Sequence, residues 1–422
     1  MKTNYCRNFQ FYLVATLFLM QINQVQAEPA AGSVGLQELL QGVESKSPEF
    51  KLQRLEAEAL RRQAQSGYGK ILPELGVEGG GRSSREKEKR NDIFYYGYAR
   101  YELGLGDIAE LRASYNRSEL GELGQRQAGI RAQLAIVSAY YRVLAMQKQL
   151  KLKMNDFSFA DKQLAAARKR VDAGLATDSD ILEFKMHQRE LENDLRILRK
   201  EFELELRELE RTTGVGRSIT SLNEDFIFRE DSSSFDQVWS VIAKENLELK
   251  RAKVEAIASK TEKFSALGDF LPRITAEGQY GKLMETDFVE SRKNSWEVVG
   301  KVTIPLFNGG SSWKRYQEKA AVADRASLSA SQEEARLRNF AQNLYEKILE
   351  LKEKLKGEEE NVGFAEKYFD MVMSEYRRGV KNSPDVASAT DKLFEARWRL
   401  FETKIKLSLG TAELLAMQGK SI

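Results

Sequence analysis

Two hydrophobic rhythms alternate along the chain, a helical one with steps of three and four and a strand one with steps of two. The helical rhythm is clearest after Gly174 and after Gly379. In the first place it runs through Ile181, Phe184, Gln188, Leu191, Leu195, Leu198, Phe202, Glu205 and Leu209, and in the second through Val386, Ala389, Leu393, Ala396, Leu400, Thr403, Leu407, Gly410 and Leu414. This spacing predicts long helices with a coiled-coil seam. Its small and polar breaks suit helices packed against two neighbours rather than a simple zipper. The strand rhythm appears where Trp296, Val298, Gly300, Val302 and Ile304 alternate with Ser295, Glu297, Val299, Lys301 and Thr303. A weaker version sets Tyr95, Gly97, Ala99, Tyr101 and Leu103 against Phe94, Tyr96, Tyr98, Arg100 and Glu102, with tyrosines on both faces.

The chain is two copies of one unit. Glu49-Phe50-Lys51 and Leu55-Glu56-Ala57-Glu58-Ala59 return as Glu248-Leu249-Lys250 and Val254-Glu255-Ala256-Ile257-Ala258, and Leu72-Pro73 returns as Leu271-Pro272, all at an offset of 199. Around Gly174 and Gly379, and again at Asp180-Ile181 and Asp385-Val386, the offset is 205, so the second copy holds about six extra residues. Each copy reads helix, strand, loop, strand, long helix, turn, helix. The expected boundaries are 28–215 for the first repeat, 216–234 for a linker and 235–422 for the second repeat. The six prolines agree, Pro29 standing just inside the start of the first repeat. Pro48 stands at a helix start, Pro73 and Pro272 at helix-to-strand transitions, Pro305 at a strand exit, and Pro384 in a first helical turn where a missing N–H costs nothing. The helix before Gly174, from about residue 112, would span roughly 90 Å at 1.5 Å per residue. The flanking helices, about 36–69 and 178–211, are half as long. Such rods suit a tube wall or a scaffold, not a globular core.

One apolar and one polar strand face fit either a half-buried soluble sheet or a membrane barrel whose apolar side meets lipid. A charged loop, Arg82 to Arg90, joins the first strand pair. Four strands per chain cannot close a conducting barrel, so closure needs several chains. Three would supply twelve strands and twelve helical rods.

Composition removes most chemistry. Lys2 and Arg7 precede an apolar run, Phe11 to Met20, and Val25-Gln26-Ala27 offers a cleavage site, so residues 1–27 read as an export signal. The single cysteine, Cys6, lies inside that signal, which excludes structural disulfides from residues 28–422. Those residues carry 64 bases against 63 acids, no electrostatic case for nucleic acid. One histidine, His187, sits in a polar helical stretch and reads as an exposed surface residue. A zinc site or histidine-based catalysis is not expected, nor any metal or cofactor.

Two helix-turn-helix tips, Ala173 to Leu182 and Arg378 to Val386, join Leu271-Pro272 before a strand and Ile304-Pro305-Leu306-Phe307-Asn308-Gly309-Gly310 after one. With these pieces the chain resembles the TolC-like outer-membrane efflux family over nearly all of residues 28–422. It departs at Leu103-Gly104-Leu105-Gly106-Asp107, where a Pro-Leu-Phe segment is typical. The resemblance implies a mainly α chain with a minor β part. It also implies a homotrimer, with a twelve-stranded barrel in outer-membrane lipid above a twelve-helix periplasmic tunnel. Such a channel is no enzyme. It is the exit duct of a tripartite efflux pump or a type I secretion system, docking with a periplasmic adaptor bound to an inner-membrane transporter. The alternatives are a periplasmic coiled-coil adaptor or a helical scaffold without a channel.

At the tips, Gly174 and Gly379 can take φ > 0 and end a helix, while Thr177 with Asp180 and Asn382 with Asp385 form capping-box-like pairs. By family resemblance the turns Gly174, Leu175, Thr177, Gly379, Val380 and Asn382 form the adaptor-docking tips. Asp385 would project into the entrance as an acidic ring, weakened because a second acid common one turn later is Ser388 here. Tyr376, Lys381 and Asp180 occupy latch positions, so Tyr376→Phe with Asp180→Ala is expected to release the closed state.

Overall fold

The computed structural model describes residues 33–41, 48–82, 92–174, 177–214, 219–228, 233–283 and 294–422. The expected signal segment, residues 83–90 of the first charged loop, and Leu175 and Ala176 of the first tip lie outside the described residues. The first copy contains β1 (Ser33–Val34), α1 (Leu36–Leu40), α2 (Pro48–Ser66), a 3-10 turn (Gly67–Ile71), β2 (Glu74–Arg82), β3 (Asp92–Gly104), α3 (Leu105–Asp172) and α4 (Asp178–Thr213). After β4 (Ser221–Leu222) the second contains α5 (Phe235–Glu245), α6 (Leu247–Leu267), a 3-10 turn (Gly268–Phe270), β5 (Arg273–Lys282), β6 (Ser295–Thr303), α7 (Ser311–Arg377) and α8 (Ser383–Met417).

The long rod exceeds its expected length. Helix α3 has 68 residues and α7 has 67, about 100 Å each, against 36 and 35 for α4 and α8. The expected 36–69 helix is instead two separate helical stretches, α1 and α2. The second copy is interrupted in the corresponding place, at Asn246. This residue takes an extended backbone, caps α6 by accepting the Leu249 N–H at 3.0 Å, and donates to the Met417 carbonyl at 3.0 Å. A buried amide satisfied on both sides stabilises the break as a designed joint.

All four long strands form one antiparallel sheet in the order β2-β3-β5-β6. The two copies meet where β3 pairs with β5, leaving β2 and β6 as edges. The register collects Leu75, Val77, Tyr95, Ile274, Tyr280, Trp296, Val298 and Val302 on one face. These are exposed large hydrophobics, Val77 at 86% and Trp296 at 72%, so the face has no covering layer within the chain. The opposite face is polar. Arg100 pairs with Glu277 at 2.8 Å and Arg273 with Glu102 at 2.8 Å. The polar-face tyrosines that blur the sequence alternation are tied down there: Tyr96 donates to Glu78 at 2.9 Å and Tyr98 to Glu74 at 3.0 Å. The Tyr98 ring lies over Gly76, where a Cβ would stand 2.5 Å from it.

The net six extra residues arise at the strand exit, where seven are added, and in the long helix, which is one residue shorter in the second copy. In the second copy, residues 304–310 separate β6 from α7, whereas β3 hands over to α3 directly at Leu105. The departure at Leu103 to Asp107 works because the Gly104 N–H donates to Asp107 Oδ2 at 2.8 Å, fixing the first turn. Here the copies also touch backbone to backbone. A Cβ at Gly268 would stand 2.3 Å from Gly106 Cα, and the Ser265 hydroxyl donates to the Gly106 carbonyl at 3.1 Å.

Below the sheet, α2 and α6 pack against α3, and α6 packs against α7; lower still, α4 and α8 pack against α3, and α8 packs against α7. The predicted seam is the buried one, with Phe184, Leu191, Leu195 and Leu209 on α4 and Val386, Ala389, Ala396 and Leu407 on α8 among the buried residues. At mid-height, parallel β1 and β4 strap the bundle around a core of Ile136, Tyr140, Leu144, Leu209 and Phe401. Gln147 fixes the strap by exchanging hydrogen bonds with both backbone groups of Leu222 at 2.8 Å.

Candidate functional site at the helical tips

The far ends of α3–α4 and α7–α8 lie side by side. Each long helix ends on a left-handed glycine, Gly174 at φ 68° and Gly379 at φ 80°. In the second tip the Val380 N–H reaches back to the Glu375 carbonyl at 3.0 Å, tightening the last turn. Val380 itself is 70% exposed, an apolar point at the end of the rod.

The capping expectations hold in different ways. Asn382 accepts the Asp385 N–H at 3.1 Å while its own N–H donates to Asp385 Oδ2 at 3.2 Å, a complete capping box. In the first tip both the N–H and the hydroxyl of Thr177 donate to Asp180 Oδ2 at 3.1 Å, and the Asp180 N–H goes to the Thr177 carbonyl. Asp180 therefore has a second oxygen to spend, and it receives the Ser383 hydroxyl from the other tip. That bond, then those from Thr177 and the charge of Arg170, hold the Asp180 carboxyl below its ordinary value.

Arg170 completes a bridge between the copies. Its guanidinium lies 4.7 Å from the centre of the Tyr376 ring, and Nη1 donates to the Tyr376 carbonyl at 3.3 Å. Tyr376 is buried and meets Phe184 edge-on at 6.4 Å. Its ring and carbonyl, not its hydroxyl, make these contacts. Beneath lies an apolar plug of Leu164, Ala167, Phe184, Val372, Met373, Val386 and Ala389, drawn from all four helices.

Of the expected latch residues, Asp180 and Tyr376 meet in one cluster. Lys381 stands apart and pairs with Asp385 of its own turn at 3.7 Å, both more than a third exposed. Such a pair contributes little. Sequence reading missed Arg170 and Ser383. Both make their key contacts across the two copies, about 200 residues apart, and no periodicity marks such partners.

Further along, half-buried Asp156 on α3 and exposed Asp391 on α8 lie within electrostatic reach of each other. Burial pushes the Asp156 carboxyl up to about 6, with Lys153 opposing and Asp391 adding to the rise. Desolvation raises Asp391 as well, against the pull of His187, which is half-buried rather than exposed as expected. Because folding raises the Asp156 value above 3.8, its contribution is fully present below that value and is lost as pH rises to about 6. Asp156→Asn should therefore flatten the stability profile between about pH 4 and about pH 6 and melt higher than the parent near pH 7. Thermal unfolding at three pH values checks it, and a parent-like slope in the variant would count against the burial account.

Among the described residues no group of metal-ligating side chains occurs, and no helix is long and apolar enough to cross a membrane. A family model described as outer membrane efflux protein matches residues 239–419, most of the second copy. No curated protein sequence matches the chain. Solved structures match along nearly its full length. The Vibrio cholerae outer membrane protein VceC gives a TM-score of 0.79 at 16% identity, covering 92% of this chain and 96% of its own. The Campylobacter jejuni outer membrane channel CmeC gives 0.78 at 14%, covering 91% and 85%. The open-state outer membrane channel MtrE of Neisseria gonorrhoeae gives 0.76 at 14%, covering 94% of each chain. At such identities these likenesses establish the fold, and the family match supplies the sequence signature of the second copy. The resemblance read from the tip and strand-exit motifs is thereby borne out.

Proposed function

We propose that this chain, whose second copy matches the outer membrane efflux protein family and whose fold is that of solved outer-membrane channels, is a TolC-like efflux protein that stands in the outer membrane, reaches into the periplasm and works as a homotrimeric exit duct. It would serve a periplasmic adaptor and an inner-membrane transporter, in drug efflux or in type I secretion. The reading treats residues 28–215 and 235–422 as two equivalent wall units joined through 216–234. A channel of this kind performs no chemistry; energy comes from its inner-membrane partner.

One observation carries the proposal. The four-stranded sheet has an uncovered apolar face, a polar face carrying ion pairs and two open edges, and it leads into rods of about 100 Å, directly from β3 and through residues 304–310 from β6. Lipid can cover the first face, water the second, and neighbouring copies the edges, which accounts for the apolar face, the charges and the open strand edges of the sheet together. At the other end, the Asp180, Arg170, Ser383 and Tyr376 cluster would act as the latch that keeps the tips together, and the turns at Gly174, Thr177, Gly379, Val380 and Asn382 as the adaptor-docking surface.

Single-channel recording in planar bilayers tests the function. A trimer with cation-dependent conductance is expected, with cation block weakened by Asp385→Asn, since three such carboxylates would ring the entrance. A purified protein that stays monomeric in detergent and carries no ions would overturn the reading.

A further inference from the structure

The inner strands settle their polar-face charges within the chain, Arg100 with Glu277 and Arg273 with Glu102. The edge strands do not. Glu78 on β2 receives only the Tyr96 hydroxyl, at 2.9 Å on Oε2, and has no cation partner among the described residues. Lys301 and Glu297 on β6 likewise have no ion-pair partner among the described residues. Among the described residues the β2 edge therefore holds the unpaired anion Glu78, and the β6 edge the unpaired cation Lys301 with the unpaired anion Glu297 four residues away, all on the same face of the same sheet.

We propose that β6 of one copy pairs with β2 of the next in a single register, set by an ion pair between Lys301 and Glu78 on the channel side. The proposal rests on the trimer reading. The two edges run in opposite directions, so their pairing continues the antiparallel sheet. Slips by one residue are closed, because they would turn the polar face to lipid. Among the rest, the Lys301–Glu78 register places Gly300 against Gly79, Val302 against Val77, and Glu297 against sequence position 82, an arginine. Slipping four residues one way gives Lys301 the Glu74 carboxylate but sets the like charges Glu297 and Glu78 opposite each other, and four the other way sets Lys301 against Arg82 with no acid opposite. Slips of two leave Lys301 facing a glycine. Like charges directly opposite destabilise a strand pair, whereas opposite charges stabilise it. The register also supplies stagger. Val299 is level with Glu74 inside one chain and would face Gly80 in the next, a shift of six residues per chain. A barrel of tilted strands requires such a shift to close.

Cysteine pairs in full-length chains, on a Cys6→Ser background, test the register under mild oxidation. Gly79 and Gly300 both accept a Cβ, the nearest other atom lying 3.5 Å away at the first and none within 4 Å at the second. Gly79→Cys with Gly300→Cys should give covalent dimers and trimers. Val77→Cys with Gly300→Cys, two residues out of register, should leave monomers on a denaturing gel. The reverse pattern overturns the register, as does a native-size trimer that cross-links with neither pair. A monomer by size overturns the trimer reading and the register with it. For the ion pair, Glu78→Lys should lose detergent-resistant trimer and Lys301→Glu in the same chain should restore it; loss without restoration removes the ion pair.

Discussion

Channels carrying Asp180→Ala together with Arg170→Ala should conduct at rest on the order of tenfold more than the parent in planar bilayers. Asp180 caps its own helix and also takes a hydroxyl from the opposite tip. Arg170 both stacks on Tyr376 and binds its carbonyl. A hydrogen bond to a charged group contributes about 1.5–3 kcal/mol, and about 1.4 kcal/mol is tenfold in an equilibrium. Removing both should thus shift the closed-to-open balance of each chain by at least that factor. Tyr376→Phe, expected from sequence to share in the release, should by contrast stay near the parent, because its ring and carbonyl remain. Ser383→Ala should fall between. Acid adds a sign. With the Asp180 carboxyl held below its ordinary value, chiefly by the Ser383 hydroxyl, the latch contribution is present above that ordinary value and fades only as pH falls through the lowered one. Resting conductance should be flat from neutral to about pH 5 and rise only in stronger acid. Unchanged conductance in the double variant, with normal trimers, would remove the latch.

Gly268→Val should be the most damaging single substitution at the sheet-to-helix joint, lowering stability by about 3 kcal/mol or more. The atoms a side chain would meet there are Gly106 Cα at 2.3 Å and Gly106 N at 2.6 Å. Backbone at the start of a long helix cannot rotate away as a side chain can. The two copies would have to part, taking with them the Gly104–Asp107 cap and the Ser265–Gly106 bond. Gly124→Ala on α3 is the matched control, since nothing lies within 4 Å of a Cβ there. It should be neutral or stabilise the helix by up to about 1 kcal/mol. Thermal melting of the detergent-solubilised protein measures both. Equal melting temperatures for Gly268→Val and the parent would show that the joint is looser than its geometry.

Periodicity made the helical seams legible because each position repeats one packing demand every three or four residues. Val386, Ala389 and Ala396 are buried as their spacing required. Prolines marked the joints for the same reason: they exclude interior helix wherever they stand. The break at Asn246 was not legible, since an asparagine inside a helical pattern becomes a cap only when the Met417 carbonyl arrives to hold it. Polar-face tyrosines misled the strand reading through Gly76 and its neighbours, whose missing side chains let the rings lie flat. At the tips, turn glycines and capping acids were readable from local spacing. Their union was not. Arg170 meets Tyr376, and Asp180 meets Ser383, through folding of one copy onto the other.

The near-equality of α3 and α7, 68 and 67 residues, has a mechanical meaning. A helix rises a fixed 1.5 Å per residue, so each rod is a ruler measured from the same sheet. The two rulers agree within one step, and the hairpins of a chain end level. Insert one helical turn into α3 alone, and alternate hairpins around the mouth would stand about 5 Å proud of their neighbours. A partner that grips a flat rim would then find a crenellated one.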